Sequence, residues 1–244
     1  VNPIRRRRLG QAAKANAVAF AGTPAQWLAI TDGAQTGLNP GVSDFSFAYW
    51  LFPTGASALA SVVGKGATSD PLAPGYWNFY NTNGKFSFLM SDATTTRLNF
   101  QTTGAALVGQ WTHVVASYTR ASTMTVYLNG VAETPFTIST RAGSMVPTAD
   151  FALASSSPNG AHAAGGSPLS GRMDMVGFWS RALSAGDVAA LYVGGNGVAF
   201  AQLSAALLTN LVSWWDFNGV FTDAMGVNNL TPSAARPTFG PGVG

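Results

Sequence analysis

The chain has 244 residues, of which 47% are hydrophobic and only 9% charged, and it carries no cysteine. That is enough chain for one large all-β sandwich or two small domains. The missing cysteines exclude a disulfide scaffold, and the lack of any run of about 18 apolar residues excludes a helical membrane span.

The first 16 residues form a basic arm. Arg5, Arg6, Arg7 and Arg8 account for the whole formal net charge of +3 and leave the rest of the chain close to neutral. Four consecutive guanidinium groups suit phosphates or an acidic surface on a partner subunit; the alternative is a solvated tail. The charge is local, so it does not describe a face that reads nucleic-acid sequence. Residues 11–16 are polar and broken by Lys14, so no secretory leader is expected there.

From residue 17 the pattern changes. Short runs rich in aromatic and β-branched residues alternate with clusters of Gly, Pro, Asn and Ser, as in an all-β sandwich. The 28 glycines and 13 prolines supply those breaks. A surface so poor in charge has little electrostatic protection against association, which suits a protein living in an assembly.

Residues 73–84 (APGYWNFYNTNG) hold the candidate sugar platform. Tyr76 and Trp77 precede a polar hairpin loop, where an exposed aromatic pair with polar neighbours stacks on a glycan. The competing reading is that Trp77, Phe79, Phe86 and Phe88 alternate simply because they fill the core.

Residues 109–130 (GQWTHVVASYTRASTMTVYLNG) read as two strands joined by a polar turn. Trp111, His113, Val115 and Ser117 alternate with Thr112, Val114, Ala116 and Tyr118, and Asn129-Gly130 makes the next turn. His113 therefore lies mid-strand, where a packed ring is the ordinary role. His162 falls in the Ser/Gly/Ala-rich stretch 155–167, a loop.

Residues 170–192 (SGRMDMVGFWSRALSAGDVAALY) read as a strand over 173–179, then an arginine, then a short helix over 184–192. Ser184 caps that helix, Asp187 lies at its positive end and Gly194-Gly195 stops it. The sequence GGNG at 194–197 follows a helix, so it is not a phosphate loop, which precedes one.

These elements, in this order, closely resemble the laminin-G-like branch of the concanavalin A-like lectin/glucanase superfamily. The marks are G-x-W-x-H-V leading to Y-x-N-G, then G-R-x-D-x-V before an aromatic, R-x-L-S and a helix. AVAFAG (17–22), WLAITD (27–32) and DFSFAYWLFP (44–53) fit the same pattern. The resemblance covers about residues 17–192 and implies an antiparallel two-sheet jelly roll with one short helix.

The segment at 211–232 (LVSWWDFNGVFTDAMGVNNLTP) resembles that family's first strand, displaced to the far end of the chain. It is expected to complete the sandwich of residues 17–210, either its own, as a circular permutation, or a neighbour's. Trp214, Trp215 and Phe217 carry the alternation that fills the missing strand; Trp214 and Asp216 face one way, Trp215 and Phe217 the other.

Chemistry is read mostly by exclusion. The glucanases of this superfamily carry an E-x-D-x-x-E pair of carboxylates; this chain has one glutamate, Glu133, with no second carboxylate within ten residues. G-x-S-x-G, C-x-x-C and H-E-x-x-H are absent. The chain is therefore expected not to be an enzyme. The resemblance implies calcium as the one ligand ion. Its oxygen donors would come from Asp223 with Asn228 and Asn229, or from Asp32. Asp174 matches a strand aspartate that braces the sandwich.

Tandem modules with the L-Y-x-G-G-N-G tail resemble those of bacteriophage structural proteins and bacterial surface proteins. The implied role is a structural or decoration subunit of a virion, held by its arms to other subunits in a homo-oligomer, with surface glycans as further partners. The alternative is a carbohydrate-binding or adhesive module of a secreted bacterial protein, located outside the cell or on its surface.

Overall fold

A computed structural model describes residues 16–55, 59–67, 70, 72–94, 96–155 and 168–243. The four-arginine arm and His162 lie outside the described residues. In chain order the strands are β1 (Asn16–Ala21), β2 (Leu28–Ile30), β3 (Phe45–Pro53), β4 (Ala60–Lys65), β5 (Gly75–Tyr80), β6 (Lys85–Ser91), β7 (Leu98–Ala105) and β8 (Thr112–Tyr118). Then come β9 (Thr123–Leu128), β10 (Val131–Ala132), β11 (Phe136–Thr137), β12 (Phe151–Leu153) and β13 (Ser170–Trp179). Helices α1 (Ala185–Tyr192) and α2 (Ala205–Leu208) precede β14 (Leu211–Trp215), β15 (Thr231–Pro232) and β16 (Thr238–Pro241).

All strand pairs are antiparallel, and they form two sheets. The nine-stranded sheet runs β10-β9-β8-β3-β13-β1-β16, with β11 on β9 and β14 on β13. The seven-stranded sheet runs β15-β2-β12-β4-β5-β6-β7. Alternation decides what lies between them. Phe45, Phe47, Tyr49 and Leu51 of β3 face Tyr76, Phe86 and Phe88 of the other sheet in one buried core. This is the two-sheet sandwich expected from the sequence. No helix among the described residues is long and apolar enough to cross a membrane.

The 211–243 segment adds strands to both sheets of its own chain. The long strand β13 gives one edge to β3; its other edge is shared end to end by β1, which pairs Val18 with Met173, and β14, which pairs Trp215 with Val176. β16 extends the sheet beyond β1, while β15 pairs with β2 across the sandwich. Trp215 and Phe217 enter the central core, and Trp214 faces outward against Trp179 at a ring-centroid distance of 6.0 Å.

The outer face of the nine-stranded sheet carries a second apolar cluster, roofed by the helical segment. Trp50, Val115 and Trp179 of the sheet meet Val188, Leu191 and Leu207 of the helices. Helix α1 starts in a capping box: Asp187 N–H donates to Ser184 Oγ (3.2 Å) and Ser184 N–H to Asp187 Oδ2 (2.9 Å). It ends one residue before the glycines, at Val193, which takes the left-handed conformation with φ 45°.

Candidate functional site

A concave site lies at the edge of the seven-stranded sheet. Leu28 and Ile30 point into the core, so Trp27, Ala29 and Thr31 share the outer face. Ala29 pairs with Thr231 on one side and Ala152 on the other. Small residues along this line leave a cleft of about 170 Å³ bordered by Trp27, Thr31, Asp150, Asn229 and Thr231. Trp27 is half-buried, and Thr31, Asn229 and Thr231 are exposed. One aromatic face with hydroxyl and amide groups is therefore presented together, and the Asp150 carboxylate borders it from a buried position.

Two of the polar groups, Asp150 and Asn229, are held from behind. Asp150 Oδ1 accepts from Asp32 N–H at 3.1 Å. Asp32 in turn pairs with Lys65, whose Nζ lies 2.5 Å from Asp32 Oδ1, 3.1 Å from the Pro147 carbonyl and 2.5 Å from the Ala149 carbonyl. Lys65 is fully buried. Burial pulls its ammonium below the ordinary lysine range, while the Asp32 hydrogen bond and charge act against that pull. On the opposite wall Asn229 Oδ1 accepts from Asp223 N–H at 2.9 Å, which fixes the amide at the cleft mouth. The backbone of Trp27 is locked to Ser233 by a reciprocal pair of bonds, Trp27 N–H to Ser233 Oγ (3.2 Å) and Ser233 N–H to the Trp27 carbonyl (3.0 Å).

The residues expected to bind calcium flank this cleft but do not fit the ion. Asp223 spends both oxygens on backbone donors: Oδ1 on Trp214 and Met225, Oδ2 on Val227 and Asn228. The Asn228 amide donates to the Thr36 carbonyl and to Ser213 Oγ, both donors used inside the fold. Asp32 already faces the Lys65 ammonium. Calcium needs six to eight oxygen ligands, and these are spent on N–H groups and an ammonium. They brace the loops that carry Asn229 and Asp150.

Tyr76 and Trp77 do not form a platform. They are 0% and 1% exposed, because β5 is an interior strand covered on both faces. Tyr76 packs on Phe45 and Phe178 in the core. Trp77 fills a slot on the outer face left by glycines, where a Cβ on Gly66 would lie 2.5 Å from its ring, and Arg97 closes over it. Its Nε1 donates to the Gly66 carbonyl at 3.1 Å.

Glu133 accepts from Thr103 and Gly104 N–H groups at 2.7 and 3.0 Å, so the one glutamate caps the free edge of β7. His113 packs against both Trp50 and Tyr192, which also stack on each other. Burial lowers its pKa to about 3, which holds it neutral. Asp174 accepts from Val243 and Met175 N–H groups, and burial raises it to about 7.

A family model described as the concanavalin A-like lectin/glucanases superfamily, Laminin_G_3, matches residues 22–189. The chain belongs to the Laminin_G_3 family. No curated protein sequence matches it. Among solved structures, this Laminin_G_3 domain is similar to a putative carbohydrate binding protein from Bacteroides ovatus. The TM-score is 0.67 at 16% identity, over 93% of this chain and 60% of that one. It is also similar to a heptameric SAP-like pentraxin from Limulus polyphemus (TM-score 0.57, 14% identity, 92% of this chain and 97% of that one). A third is the CBM40 of a Ruminococcus gnavus IT-sialidase bound to α2,3 sialyllactose (TM-score 0.53, 11% identity, 75% of this chain and 100% of that one). At these identities the likeness is one of fold. The Laminin_G_3 domain spans 60% of the Bacteroides protein's length.

The Trp27 cleft was not singled out from the sequence, although its signal was present. In WLAIT a large aromatic falls on the face otherwise occupied by Ala29 and Thr31, opposite the apolar pair Leu28 and Ile30. An aromatic on the polar face of an amphipathic strand lies outside the core between the two sheets.

Proposed function

We propose that this Laminin_G_3 domain is a non-enzymatic carbohydrate-binding module and that the Trp27 cleft is its sugar site. The observation that carries this reading is the half-buried Trp27 ring set beside Asp150, Asn229, Thr31 and Thr231 on a floor of Ala29. The apolar C–H face of a pyranose stacks on an indole, and its hydroxyls suit a carboxylate acceptor, an amide and two hydroxyls that border the same cleft. Drug-sized pockets run to about 300–1,000 Å³, so a cleft of about 170 Å³ takes a single sugar ring and leaves the rest of a glycan outside. Two proteins of similar fold, a putative carbohydrate binding protein and a CBM40 bound to sialyllactose, support the same class. A glycan array probed with the whole chain and with Trp27→Ala tests it: ligands of the parent should disappear from the variant.

A second reading, a subunit of a virion or similar assembly, draws on the four-arginine arm and the 9% charge. It would put the module on the particle surface as an adhesive subunit. Mass in solution at rising concentration tests it, with a monomer at all concentrations counting against it.

A further inference from the structure

The outer face of the nine-stranded sheet carries a second aromatic surface that the cleft does not use. Arg172 of β13 pairs in register with Phe52 of β3, and Trp111 immediately precedes β8 on the other side of β3. All three are half-buried. The two rings meet edge to face with centroids 5.4 Å apart, and the Arg172 guanidinium carbon lies 4.1 Å from the Phe52 centroid and 5.4 Å from that of Trp111. The turn that carries Leu107 and Val108, 59% and 53% exposed, is held to the end of β3 by Gly109 N–H donating to the Pro53 carbonyl at 2.8 Å.

Arg172 is fixed but not neutralised. Its Nη1 donates to the Pro241 carbonyl at 2.6 Å, and it has no carboxylate partner among the described residues. Lys65 pairs with Asp32 and Arg181 with Asp187, away from it. A guanidinium has five N–H donors in a planar fork. Stacking on Phe52 sets the plane of the fork and one bond is used, so the remaining donors form a rigid cationic edge beside an apolar rim.

We propose that Arg172, Phe52 and Trp111 form a second carbohydrate subsite, selective for sugars that bear a carboxylate. The guanidinium edge takes the carboxylate, and the rings and Val108 take the apolar face of the sugar. This rests on the reading of the domain as a carbohydrate binder but places the acidic residue on a different sheet from the Trp27 cleft. The shared chemistry is a carboxylate on a pyranose, found in sialic acids and in uronic acids.

The test is calorimetric titration of the whole chain with 3′-sialyllactose, a galacturonic acid oligomer, lactose and a panel of neutral glycans. Variants are Arg172→Gln, Arg172→Lys and Trp27→Ala. At least one carboxylated ligand should bind at least tenfold tighter than lactose, and which one does identifies the source. Arg172→Gln should abolish that margin. Arg172→Lys, which keeps a charge able to reach Pro241 but loses the fork, should retain only part of it. Raising salt from 50 to 500 mM should shrink the margin in the parent. Neutral ligands that bind through Trp27 while carboxylates add nothing overturn this subsite and leave the cleft standing. Carboxylated ligands that bind through Arg172 with no neutral binder do the reverse. A margin that survives Arg172→Gln, or no binding of any ligand, overturns the proposal.

Discussion

Lys65 donates to Asp32 at 2.5 Å from a fully buried position, and its other two donors hold the carbonyls of Pro147 and Ala149. The ammonium thereby pins the turn that ends in Asp150 against the loop that begins with Thr31, two borders of the cleft. Lys65→Met should cost roughly 2–4 kcal/mol, because two carbonyls and a partly covered carboxylate lose their donor. Denaturant titration checks the size. Calcium or a chelator should leave the melting temperature of the parent within about 1 °C, since a ligand that does not bind the folded state cannot stabilise it.

Trp215 stacks on Phe151 at 5.6 Å, joining the last third of the chain to the opposite sheet. Ending the chain at Asn210 removes Trp214, Trp215 and Phe217, all at most 1% exposed, and bares the edge of β13. Each large apolar side chain is worth about 3–5 kcal/mol against a whole-domain stability of about 5–15 kcal/mol. The truncated chain should be insoluble or lack a cooperative melting transition; a soluble, cooperatively melting product would show the segment to be an appendage.

Two buried groups oppose each other in pH. Burial raises Asp174 to about 7, so its folded form prefers the proton; the stability tied to it is complete below pH about 4 and is lost as pH rises towards 7. Burial lowers His113 to about 3, so its contribution is complete above pH about 6.5 and is lost as pH falls towards 3. Between about pH 4 and 6.5 these two slopes oppose each other, while Asp216, also raised by burial, adds to the decline, so the parent should lose stability only gently as pH rises. His113→Phe should uncover a decline with rising pH of about 1.4 kcal/mol per unit. Chemical denaturation at half-unit steps reads it, and a flat profile in the variant would contradict the assignment.

Much of the sandwich was legible because strand alternation and turn residues are local signals. Ser184 and Asp187 marked the start of α1, and the order of the strands carried the family. The site was less legible. Both faces of β5 are covered, so Tyr76 and Trp77 looked alike in the sequence whether they lined a core or a surface. The roles of Asp32 and Asp223 depend on partners set by sheet register and loop closure. Lys65 is 33 residues from Asp32, and nothing local announces the pair.

Glu133 guards an edge. Thr103 and Gly104 on β7 would otherwise offer open N–H groups to another strand. Glu133→Ala should increase concentration-dependent association, seen by light scattering, while Glu133→Gln, which keeps one acceptor, should do so less. Neither the parent nor either variant should release reducing ends from β-glucan.

The central claim is that Trp27 stacks on a sugar in a preformed cleft. Saturation-transfer NMR or calorimetry with the tightest neutral ligand from a glycan array measures it directly, comparing the parent with Trp27→Ala and Asp150→Asn. A one-ring site predicts a dissociation constant on the order of millimolar, about 4 kcal/mol of binding. Trp27→Ala should weaken it at least tenfold and Asp150→Asn several-fold, with the melting temperature of each variant within a few degrees of the parent. Unchanged affinity in a folded Trp27→Ala protein would place the sugar elsewhere and contradict the account.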